Sequence, residues 1–61
     1  MFDYCQQILI KVSFDRHLFR KELVKMIALL KGDEIKLLKA WCLVTFIQHQ
    51  DIIRDVFASA A

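Results

Sequence analysis

The chain has no proline and one glycine among its 61 residues, so it has almost nothing with which to build tight turns. A β-sandwich or barrel needs turn residues every ~8–12 positions, and that class is excluded. One glycine also excludes a glycine-rich phosphate loop. Two cysteines, Cys5 and Cys42, are too few for a disulfide framework and too far apart in sequence for a close metal-binding pair. Charge of one sign is lacking too: nine Lys and Arg against seven Asp and Glu leave +2, too little to mark a polyanion binder on charge alone. The longest stretch without a charge, Ala40–Gln50, falls short of the ~18 residues needed to span a bilayer. No secretory signal is visible at the N-terminus, and the expected setting is the cytoplasm, with reduced thiols.

What is abundant is apolar surface. Apolar residues make up 57% of the chain, against roughly 45–50% in an ordinary soluble domain. A chain this short hides only about 60% of its unfolded surface when it folds alone. The excess points to a partner, most simply a second copy.

The punctuation reads as a single helical domain over residues 1–61. Gly32 is the clearest boundary, preceded by Lys31, a cation suited to a helix C-terminus, and followed by the acids Asp33 and Glu34. Asp33 is the expected N-cap of the third helix and Ser13 that of the second, with Asp15 in its first turn. The expected helices cover residues 2–12, 14–31 and 33–57, with a small-residue tail at 58–61. In the second, Phe19, Leu23, Met26, Ile27 and Leu30 share one sector, opposite His17, Arg20, Lys21, Lys25 and Lys31. From Glu34 onward Ile35, Leu38, Cys42, Phe46, Ile53 and Val56 form one stripe that keeps its phase through Gln48–Asp51. The spacing predicts one helix of about 36 Å, with Asp51 as the alternative start of a separate fourth helix. The fold class is therefore all-α: a helical hairpin plus a short N-terminal helix, assembled as a dimeric bundle.

Leu37, Ala40, Leu43, Val44 and Ile47 lie on the far side of the third helix, so its middle is apolar all round, as in a helix buried on both sides. Trp41, Val44 and Ile47 are the expected dimer interface. Ile52, Ile53 and Phe57 extend past the reach of the second helix and are expected to meet a second copy or a foreign helix.

Candidates for chemistry are few. Glu22 sits within the apolar sector of the second helix, where desolvation raises a carboxyl pKa; the plainer reading places it at the edge, paired with a lysine of the hairpin partner. His49 follows Cys42 by seven residues, roughly 10 Å along a helix, too far to touch within one helix, so zinc there would need ligands from another chain. A buried histidine bonded to a backbone carbonyl, or one at a dimer edge, fits better. No catalytic set, cofactor site or metal site is expected, and the chain is read as a non-enzyme.

The expected function is a small helical protein–protein interaction module, an adaptor or a regulatory or assembly subunit. It would bind itself as a homodimer or higher homo-oligomer and, beyond that, another protein's helix, with no membrane among its partners and nucleic acid not expected. The alternative starts from Ile8, Ile10, Val12 and Phe14, which alternate as in a strand. Gln7–Ser13 as a strand, followed by a helix, Gly32 and another helix, resembles the layout of the ribbon-helix-helix DNA-binding dimers over residues 7–47. That resemblance implies paired strands reading the major groove with Gln7, Leu9 and Lys11. Without the strand, Arg20, Lys21 and Lys25 supply the nucleic-acid face.

Overall fold

Residues 2–60 are described by the computed structural model, and they form four α-helices: α1 (Phe2–Val12), α2 (Arg16–Leu29), α3 (Asp33–Thr45) and α4 (Gln50–Ala60). A single 3₁₀ turn, Ile47–His49, joins α3 to α4. Among these residues there is no strand, so Gln7–Ser13 is helical up to Val12 and the ribbon-helix-helix layout does not hold.

Local chemistry explains where the helices start and stop. Asp15, not Ser13, caps α2: its carboxylate accepts from the backbone N–H groups of His17 at 2.9 Å and Leu18 at 3.2 Å. The Ser13 hydroxyl turns back and donates to the Ile10 carbonyl at 2.9 Å, satisfying an open acceptor at the end of α1. At the other end of α2, Leu30 leaves the helical conformation, which is why α2 ends at Leu29 and not Lys31. Gly32 has φ +57°, a backbone state that costs little only for glycine, and it occupies the N-cap of α3 in place of Asp33. Asp33 and Glu34 then stand in the first turn of α3, where acids oppose the positive end of the helix dipole.

The largest departure from the sequence reading is the fate of the long third helix. It ends at Thr45, and Phe46 takes a non-helical conformation, φ −114° and ψ 64°. The alternative of a separate fourth helix is the one that holds: α4 begins at Gln50 with Asp51 in its first turn, although the break itself comes at Phe46. Thr45, Phe46 and Ile47 are β-branched or aromatic, types that favour the helix least among apolar residues. The side chain of Gln50 repairs part of the damage by donating to the Leu43 carbonyl at 3.1 Å. Apolar burial supplies the rest. A straight helix would carry its second half past α2, whereas the break folds α4 back so that it packs on both α2 and α3.

The main helix contacts are therefore α1 with α2, α2 with α4, and α3 with α4. The expected α2–α3 hairpin is not the principal packing unit. One core gathers Cys5 and Leu9 from α1, Phe19, Leu23, Met26 and Ile27 from α2, Leu38 and Cys42 from α3, and Ile52, Ile53, Val56 and Phe57 from α4. Phe46, at the break, sets its ring edge against Phe19 at 4.9 Å and against Trp41 at 5.2 Å. Residues 58–60 continue α4 rather than forming the expected tail, of which Ala61 lies outside the described residues.

Candidate functional site

The expected interface residues divide into two groups. Ile52, Ile53 and Phe57 are buried in the chain's own core, at 6%, 0% and 7% exposure, so they are not a surface at all. The physical reason is the break at Phe46, which removes the overhang that would have left them uncovered. Val44 and Ile47 are the opposite case, at 73% and 69% exposure, and Leu37 on the same side of α3 is 59% exposed. Trp41 is half-buried, held by its edge contact with Phe46.

Helical spacing explains why these residues share one face. Leu37, Trp41 and Val44 stand at i, i+4 and i+7, with exposed Ala40 among them, so they line one stripe of α3 while Leu38 and Cys42 line the stripe that meets the core. Ile47 continues the apolar surface past the end of the helix. Phe14, 82% exposed, flanks the same junction: the carbonyl of its neighbour Ser13 lies 2.6 Å from His49, two residues after Ile47.

The basic residues of α2 are largely engaged within the chain. Arg16 binds Asp51 at 2.6 Å, Arg20 pairs with Asp55, and Lys25 approaches Glu22 at 3.6 Å. Arg16 and Arg20 thus tie α2 to α4, leaving Lys21 and His17 on the exposed side. Hydrogen bonding from Arg16 holds the Asp51 carboxyl below its usual pKa. That pairing contributes above the ordinary carboxylate range and is lost as pH falls through the lowered value. Glu22 lies at the sector's edge and pairs with Lys25 of its own helix, not with a lysine across a hairpin.

His49 is 4% exposed and belongs to the core. Its Nε2 lies 2.6 Å from the Ser13 carbonyl oxygen, which can only accept, so Nε2 carries the proton and donates. The ring stacks at a tilt against Phe19, centroids 4.7 Å apart. Nδ1 is buried without a hydrogen-bond partner. His49 thus ties the α1–α2 turn to the α3–α4 junction, which accords with the buried, carbonyl-bonded reading of this residue. Sequence reasoning missed the other half of the tie, Ser13. Its signal was consumed by the expectation that a serine at that place caps a helix.

Both cysteines are free and fully buried. Burial pushes both thiols up, and that of Cys42 reaches about 12. Two results are expected. Iodoacetamide at neutral pH leaves Cys5 and Cys42 unmodified in the native protein and alkylates both in denaturant, as read by mass spectrometry. Fast modification of the folded chain would contradict the burial. In alkali the unfolded chain releases the Cys42 proton near the ordinary thiol value while the folded chain keeps it. Stability therefore falls as pH rises from the ordinary thiol range toward about 12. Denaturation curves of Cys42→Ala should show a shallower fall over that window.

No group of three or more His, Cys, Asp or Glu among the described residues is placed to hold a metal ion. No helix among them is long and apolar enough to cross a membrane. Comparison of the chain with protein-family models, curated proteins and solved structures finds no match.

Proposed function

We propose that this chain is a small helical protein–protein interaction module whose working surface is the outward face of α3, and that it associates with a second copy of itself through that face. The observation that carries the reading is the exposure of Leu37, Val44 and Ile47, at 59%, 73% and 69%, on a molecule whose core is already complete without them. Scattered apolar residues need no explanation, but Leu37 and Val44 in one stripe of α3 beside a half-buried tryptophan, with exposed Ile47 just past the helix end, make an apolar face of the kind that marks an interface. Two free buried thiols support a reducing compartment, the cytoplasm being the natural one. The reading assigns no catalytic step to the chain. It also disfavours nucleic acid as the partner, because Arg20 and Lys25 are already committed to Asp55 and Glu22.

The test is retention of a protein partner by the immobilised chain. Contact through an apolar face survives high salt, whereas a phosphate contact weakens steeply with ionic strength. Val44→Glu places a charge in the middle of the face without touching the core, so the variant should keep its circular dichroism spectrum and lose the salt-resistant partner. Equal retention by wild type and Val44→Glu would refute the reading. Recovery of nucleic acid alone, released in moderate salt, would move the site to α2.

A further inference from the structure

We infer that the Ile47–His49 turn is an acid-sensitive latch, closed on the α1–α2 turn while the His49 ring is neutral and driven open when that ring takes a second proton. The latch does not depend on what the face of α3 binds. The two ring nitrogens decide it. Nε2 already donates to the Ser13 carbonyl at 2.6 Å. Nδ1 is enclosed, and among the described residues it has no hydrogen-bond partner. A neutral ring tolerates this, because its Nδ1 is only an unused acceptor. A charged ring does not: it adds an N–H that nothing accepts and sets a cation in the core, where His49 is 4% exposed.

The surroundings offer that cation no counter-charge. On the α1–α2 turn, the Asp15 carboxylate is occupied by the backbone N–H groups of His17 and Leu18. On α2, Arg16 donates to the carbonyl of Gln48, one residue before His49, and so brings a positive charge to the same turn. At the start of α4, Asp51 is bound by that same Arg16. Burial raises the thiols of Cys5 on α1 and Cys42 on α3, so both are neutral here. No acid forms an ion pair with His49 among the described residues. Phe19 attracts a cation through its face, but at an interplanar angle of 32° the new N–H points past that ring, not into it. The turn itself is built to move. It is a single 3₁₀ turn that follows the non-helical Phe46, and Ile47 and Gln48 beside His49 are exposed. Swinging it outward hydrates the ring and breaks the bond to Ser13.

The open chain therefore binds one more proton than the closed one, and stability falls as pH falls through the ordinary histidine range, about 6.5. Urea unfolding followed by the emission of Trp41, the one tryptophan, tests this. Between about pH 7.5 and about pH 5.5 the unfolding constant of the wild type should rise about tenfold. The lowered carboxyl of Asp51 titrates below that window and the Cys42 thiol above it. His49→Gln keeps an amide donor but takes no proton, and its constant should rise by less than about twofold. His17→Gln, at an exposed position, should follow the wild type. A wild-type constant that is the same at both pH values would overturn the latch, as would a His49→Gln constant that rises as steeply as the wild type's. If His49→Gln does not fold, His49→Phe takes its place in the same comparison, and the wild-type measurement still decides on its own.

Discussion

Phe19→Ala should cost about 3–5 kcal/mol, most or all of the stability of a domain this small. Phe19 is completely buried at the centre of the molecule. Its ring is the one that Phe46 meets edge-on at 4.9 Å and that His49 covers at 4.7 Å, so three elements lose their common contact at once. The surroundings cannot collapse into the space without moving α2 against the α3–α4 junction. Thermal unfolding followed by circular dichroism reads the effect as a large fall in midpoint or as a chain already unfolded at room temperature. Val44→Ala is the matched control. It removes apolar atoms from a residue that is 73% exposed and should change the monomer's stability by less than about 0.5 kcal/mol.

The second large effect is expected at His49. His49→Ala removes the ring from Phe19 and leaves the Ser13 carbonyl without its donor, for a combined loss of about 2–4 kcal/mol. His49→Phe separates the two contributions. It refills the space beside Phe19, donates nothing and also removes the unpartnered buried Nδ1, so its remaining change measures the lost donation to Ser13 net of that relief, about 0–3 kcal/mol. Urea midpoints of the three proteins provide the comparison. A His49→Phe protein as stable as wild type would mean that losing the 2.6 Å contact with Ser13 costs no more than removing the unpartnered Nδ1 relieves.

Much of this architecture can be read from the residues. The absence of proline and the one glycine force helices, the bounds of α1 follow from its apolar face, and Gly32 divides α2 from α3 because its φ of +57° suits no other residue as well. The break at Phe46 cannot be read in the same way. A burial pattern records which residues face the core, not the path the chain takes between them, and the stripe from Ile35 to Val56 keeps its phase for a straight helix and for a folded one alike. What distinguishes the two paths lies outside helical periodicity: the donation from Gln50 to Leu43, seven residues earlier, and the ion pairs of Arg16 with Asp51 and Arg20 with Asp55, which join α4 to α2. That misreading of the path also misassigned Ile52, Ile53 and Phe57, which are interface residues only if the helix is straight. Val44 and Ile47 are exposed on the folded chain as well. Their face is defined by the residues on the opposite side of α3, Leu38 and Cys42, which occupy the core in either path.

The apolar face of α3 as the site of association is tested most directly by sedimentation equilibrium of wild type and Val44→Glu from micromolar to submillimolar concentration. The wild-type chain, 7.2 kDa, should rise toward twice that mass at the upper end, while Val44→Glu stays at the single-chain mass with unchanged helix content. A wild-type protein that remains at the single-chain mass throughout, or a Val44→Glu protein that associates as the wild type does, would contradict the account.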